Sequence, residues 1–175
     1  MIHIIDNFYE ESFFKKVITA TEQLPFTASF QPPNFNTDDR LQAYPTWETK
    51  QLEKKDPIHI YVENTLKKLV HEPFTMYTFF RKTLLSELKK SNSWEGLQRH
   101  KDEDYGFLAG VIYLNSNSIH DGTSLYNNFT DIEPTLIVGS KTNRLILYNA
   151  QQPHSPGVKQ WKEERLVQLF FLQRA

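Results

Sequence analysis

All six glycines of this 175-residue chain fall between Gly96 and Gly157, in a stretch that is otherwise a succession of short apolar runs. Glycine supplies the backbone angles that tight turns need and other residues resist. Short apolar runs bounded by such turns read as strands. They fall near 96–101, 107–115, 122–127, 134–139, 144–149 and 164–173, with gaps that suit hairpins. The second half therefore has to fold as antiparallel β-structure, either stacked in two sheets or closed into a barrel. A chain of 175 residues suits one domain, spanning 1–175, that can bury roughly 70% of its unfolded surface.

The first half has a different rhythm. Ile2 to Ile5 is short, apolar and β-branched and reads as a strand, ended by Asp6-Asn7, a pair that can also cap a helix. From Tyr9 to Leu24, the residues Phe13, Phe14, Val17, Ile18 and Leu24 recur at three- and four-residue steps, the mark of an amphipathic helix. Pro25 to Lys54 has no clear period, but it is too rich in aromatics for plain disorder. It reads as a loop packed over the core or as a lid over a substrate site. A second helix starts at Pro57, where the missing N–H costs nothing, and runs to His71. Phe74 to Arg81 alternates as a strand, and Leu84 to Ser93 is a polar connection. The whole reads as mainly β with α (α+β): a double-stranded β-helix, a jelly-roll or cupin-like barrel, with two N-terminal helices packed on one sheet. Residues 1–95 form the helical support and loop region, and 96–173 form the barrel core.

Composition narrows the function. A formal net charge of −1 gives no global attraction to nucleic acid. No apolar run reaches the length of a membrane span, and the N-terminal residues lack a signal-peptide pattern. A soluble, cytoplasmic protein is the expectation. There is no Cys, so any bound metal has nitrogen and oxygen ligands.

Such ligands are available. His100 and Asp102 stand two residues apart at the end of a strand, so their side chains point the same way. A third ligand must come from elsewhere, and His154, set between Pro153 and Pro156, is the best placed. Two imidazoles and a carboxylate with positions left open are the donor set of non-haem Fe(II) oxygenases. Arg165 lies eleven residues after His154 and opens an apolar strand, on the same face as Val167, Leu169 and Phe171. An arginine aimed into an apolar interior needs an anionic partner. Arg144 also heads an apolar strand and is the competing cation. His120 reads as a turn residue, and His3, His59 and His71 as structural.

The chain resembles the 2-oxoglutarate and Fe(II)-dependent oxygenase superfamily, closest to its prolyl-hydroxylase-like branch. The likeness rests on His100-Lys101-Asp102, Val111 to Asn115, Gly122 to Tyr126, Asn143 to Tyr148, Pro153 to Gly157 and Glu164 to Val167. The resemblance implies that His100, Asp102 and His154 ligate Fe(II) and are the catalytic set. It also implies that Arg165 grips the far carboxylate of the co-substrate 2-oxoglutarate, a task suited to a guanidinium, with Tyr113 bonded to the same carboxylate. The branch has a Tyr and a Gly nine and six residues before its first His, where this chain has Ser91 and Trp94. Tyr77 stands in as the further oxoglutarate contact. The activity implied is a dioxygenase that consumes O2 and 2-oxoglutarate, hydroxylates a substrate, and releases succinate and CO2. The substrate would be a peptide or protein side chain or a small metabolite. Trp94 and Trp161 flank the site in sequence and read as core or rim residues.

Two rivals are a barrel that keeps the fold as a non-catalytic binding module, and a cupin-type metalloprotein. The second normally presents two His near one another, and this chain has no His-x-His.

Overall fold

A computed structural model describes residues 2–30, 45–84, 99–157 and 164–175. Strand β1 (Ile2–Ile5) is followed by helix α1 (Glu11–Gln23), strands β2 (Thr27–Phe30) and β3 (Pro45–Glu48), and helix α2 (Pro57–Leu66). Then come β4 (Phe74–Leu84), β5 (Leu108–Tyr113), β6 (Ser118–Leu125), β7 (Leu136–Ser140), β8 (Arg144–Asn149), β9 (His154–Pro156) and β10 (Glu164–Arg174). The protein is mainly β with two helices.

Every strand pairing is antiparallel. One sheet has the order β1-β8-β5-β10-β4-β3-β2 and the other the order β7-β6-β9. The last strand in sequence, β10, lies inside the large sheet, pairing along its whole length with β4 and from Val167 to Leu172 with β5. Both its faces are covered, so it is a nearly unbroken apolar run. Leu166, Phe170 and Leu172 point to a core shared with Val17 of α1 and Val62 and Leu66 of α2. Val167, Leu169 and Phe171 point to a second core, closed from the other side by Leu125 of β6 and Val138 of β7. The molecule is thus three layers: helices, large sheet, small sheet. Burying a side chain such as Phe170, which is 0% exposed, contributes about 1.5–3 kcal/mol.

Local chemistry sets the element ends. Asp56 accepts a hydrogen bond from the Ile58 amide at 2.7 Å, with Pro57 in the first turn of α2. The proline after Leu24 bars that residue from helical angles, and α1 stops there. Asn7 takes a left-handed φ of 53°, which asparagine tolerates. Asp6 does not cap α1; it forms an ion pair with Arg144 instead. A buried relay ties the helical layer to the sheet. Tyr9 Oη donates to Gln168 Oε1 at 2.5 Å, Gln168 Nε2 donates to Thr78 Oγ1 at 3.0 Å, and Thr78 Oγ1 donates to the Leu169 carbonyl at 2.8 Å.

Several expectations need correction. The flanks of the expected loop from Pro25 to Lys54 are strands β2 and β3 at the edge of the large sheet. Neither shows a period or a β-branched run, and Pro45 is tolerated because it is the first residue of β3, ahead of the residues that pair with β4; residues 31–44 lie outside the described part. Helix α2 is shorter than expected and ends at Leu66. Strand β6 begins at Ser118, so His120 belongs to a strand, with a register shift between Ser118 and Gly122. Of the strand expected at 96–101, the described residues contribute an isolated bridge at His100. β9 was hidden by Pro153 before it and Pro156 at its end. Ser91, Trp94, Trp161 and the polar connection after Leu84 lie outside the described residues.

Candidate metal centre

The backbone brings the two histidines together first. His100 N donates to the His154 carbonyl at 2.9 Å, and His154 N donates to the His100 carbonyl at 3.0 Å. This reciprocal bridge sets the two rings 4.2 Å apart. The Asp102 amide bonds the Ala150 carbonyl at 2.8 Å, which turns the carboxylate toward the same point. His154 Nε2 is 3.2 Å from Asp102 Oδ2, and His100 Nε2 is 3.8 Å from Asp102 Oδ1. One ligand atom from each of the three lies within 4.8 Å of the others. Asp102 and His154 are buried, while His100 is partly open.

The donor chemistry suits a cation. His154 Nδ1 lies 3.0 Å from the Gln152 carbonyl, which can only accept, so the ring hydrogen sits on Nδ1. The lone pair of Nε2 then faces a buried carboxylate. That approach needs a proton or a metal ion between the two groups, and His100 Nε2 is aimed at the same gap. Burial works against the charge of Asp102, but the hydrogen bond from His154 and the nearby His154, His100 and Arg81 together hold its carboxyl below the ordinary value. The Tyr148 ring packs edge-on against His154 at 4.8 Å.

Deeper in the second core, Arg165 is 7% exposed. Its guanidinium lies 5.5 Å from the Tyr113 ring and makes a hydrogen bond with that side chain. The Tyr113 hydroxyl also bonds Thr123 Oγ1 of the small sheet at 2.7 Å, and burial pushes the phenol pKa up. Arg165, Tyr113 and Thr123 form one group of donors spanning both sheets. The competing cation, Arg144, is taken up by Asp6, with Nε–Oδ1 at 2.6 Å and Nη2–Oδ2 at 3.1 Å.

No protein-family model and no curated protein matches the chain. Solved structures do. A 2OG-Fe(II) oxygenase family oxidoreductase from Burkholderia pseudomallei aligns with 99% of this chain and 85% of its own, at TM-score 0.68 and 9% identity. HygX from Streptomyces hygroscopicus, with nickel, 2-oxoglutarate and hygromycin B bound, aligns over 99% and 83% at TM-score 0.63 and 12% identity. A Pseudomonas putida prolyl-4-hydroxylase aligns over 99% and 92% at TM-score 0.58 and 14% identity. The fold is that of the 2-oxoglutarate and Fe(II) oxygenases.

Within this oxygenase fold the residues singled out from sequence divide into two groups and an outlier. His100, Asp102 and His154 converge, and Arg165 and Tyr113 meet. Tyr77 joins neither group. Arg165 pairs with Thr83 and Phe171 with Tyr77, which puts Tyr77 six residues, about 20 Å, along β4 from the arginine. Tyr148, Thr123 and Gln152 were not anticipated. Tyr148 carried a usable signal, since it shares a strand face with Ile146, pointing into the second core. Thr123 and Gln152 carried none, because their roles arise from contacts across sheets and turns.

Proposed function

We propose that the protein is an Fe(II)- and 2-oxoglutarate-dependent dioxygenase that hydroxylates its substrate, built as one double-stranded β-helix domain. The observation that carries this reading is the convergence of two imidazoles and one carboxylate within 4.8 Å. His100, Asp102 and His154 would hold the iron through two imidazoles and one carboxylate, a donor set that leaves coordination open to other ligands. Gln152 fixes the His154 ring through its carbonyl. Arg165 and Tyr113 bind the far carboxylate of oxoglutarate, the guanidinium by parallel charge-assisted hydrogen bonds and the phenol by donating its proton. Val111, Ile146 and Leu169 line the second core around this path and keep water from it. Bound there, iron with oxoglutarate and O2 supplies the oxidising power, oxoglutarate leaving as succinate and CO2.

The test is succinate formation from oxoglutarate that depends on Fe(II) and is abolished in His100→Ala, alongside titration with Mn(II) and oxoglutarate. If neither binds, the reading fails and the protein is a module that keeps the fold without the chemistry.

A further inference from the structure

One row of side chains crosses the large sheet on the face that carries the candidate site. In register it runs Tyr77, Phe171, Ala109, Tyr148. At one end Tyr148 packs on His154. At the other end the rings gather into a wall. Tyr77 lies 5.3 Å from Phe79 and 6.2 Å from Phe171, and Tyr105 lies 5.0 Å from Phe171. Phe79 and Phe171 are buried, but Tyr77 and Tyr105 are 36% and 54% exposed. Tyr105 is also joined to the site through the backbone: its amide bonds the Asp102 carbonyl at 2.9 Å, so the wall starts one turn from a candidate metal ligand. The Arg81 guanidinium stands over the Phe79 ring at 5.6 Å and forms an ion pair with Glu48 at 2.6 Å. At the Phe79 end of the wall these two charges therefore cancel, while exposed Glu103 and Asp104 precede Tyr105 at the other.

We propose that Tyr77 and Tyr105, backed by Phe79 and Phe171, form the substrate-binding surface, and that it takes an uncharged flat or apolar ring. The inference rests on the oxygenase reading and adds a substrate class to it. Exposed phenol rings on a rigid aromatic base offer stacking area at little entropic cost. With Arg81 and Glu48 neutralising each other, an anion finds no free cation beside Phe79, and the acidic Glu103 and Asp104 next to Tyr105 disfavour it further, so the stacking area of a neutral ring is the main source of affinity.

The test uses Mn(II) and oxoglutarate with indole as the ring probe, and benzoate and tetramethylammonium as charged comparisons. Manganese binding is read by electron paramagnetic resonance, and probe binding by the paramagnetic relaxation of the probe's protons in the same samples. Indole relaxes strongly in the parent protein. Its affinity falls about fivefold in Tyr77→Ala and in Tyr105→Ala, the loss of roughly one aromatic contact each, and is kept in Tyr77→Phe and Tyr105→Phe. Manganese binding stays unchanged in all four. Indole relaxation indifferent to the alanine substitutions, or a charged probe bound more tightly than indole, overturns the inference alone. Failure of the parent protein to bind manganese, or binding that survives in His100→Ala, removes the oxygenase reading and this inference with it.

Discussion

The two strand-heading arginines show how position decides the fate of similar side chains. Arg144 meets Asp6 in a two-pronged pair, and Lys141 bonds the same carboxylate at 2.8 Å. The hydrogen bonds from Arg144 and then Lys141 hold the Asp6 carboxyl well below its ordinary 3.8. A depressed folded pKa stabilises above the unfolded value and is lost as pH falls through the folded one. Asp6→Asn should therefore melt below the parent at neutral pH, with the gap closing in acid as the parent's Asp6 is protonated; thermal melts across pH check this, and a constant gap contradicts it. Arg165 lies on the same face of the sheet, two strands away on β10, against Tyr113. Arg165→Leu should weaken oxoglutarate binding about a hundredfold, the loss of roughly 3 kcal/mol of charge-assisted bonding, while manganese affinity holds; calorimetric titration reads both. Period-two spacing placed Arg165 on the apolar face. Periodicity did not separate it from Arg144; only the family resemblance did, because the partner that takes up Arg144, Asp6, is more than a hundred positions away.

At the scale of elements, strands written as apolar or β-branched runs were readable, the four-residue edge strand β1 among them, and the short mixed strands β2, β3 and β9 were not. β10 and β5 announce themselves as apolar runs, since cores lie on both sides of them. β2, β3 and β9 hold four residues or fewer, too few to show alternation. The packing inside β5 makes a specific prediction. A methyl group placed on Gly110 overlaps the Phe170 ring, which is fully buried and has nowhere to retreat. Gly110→Ala should cost about 1–3 kcal/mol through overpacking, lowering Tm by roughly 2–4 °C per kcal/mol in a chain of this size. Phe170→Leu in that background should recover part of the loss, because the two sites share one contact. The two melts together separate overpacking from a general intolerance of the strand.

For the molecule as a whole, the layered plan was legible, since both helical periods fall in the first half of the chain and the glycine-punctuated run of short strands in the second. The sheet order was not, because it depends on pairings between distant segments. The candidate metal centre inherits that dependence: His100 and Asp102 reach His154 only when β9 lies against the residues before β5. A ligand bound by the folded state alone adds about 2.7 kcal/mol at a hundred times its Kd. Saturating Mn(II) should thus raise Tm by roughly 5–10 °C, chelator should reverse the shift, and His100→Ala should show none. The place of β10 has a further consequence for biosynthesis. Ribosomes deliver this strand after the other described strands, yet it joins β1-β8-β5 to β4-β3-β2 and supplies Arg165. A nascent chain that has not yet released it holds two unjoined half-sheets with bare edges. It lacks the arginine of the proposed co-substrate site, and it is at that stage exposed to the mispairing that chaperones suppress.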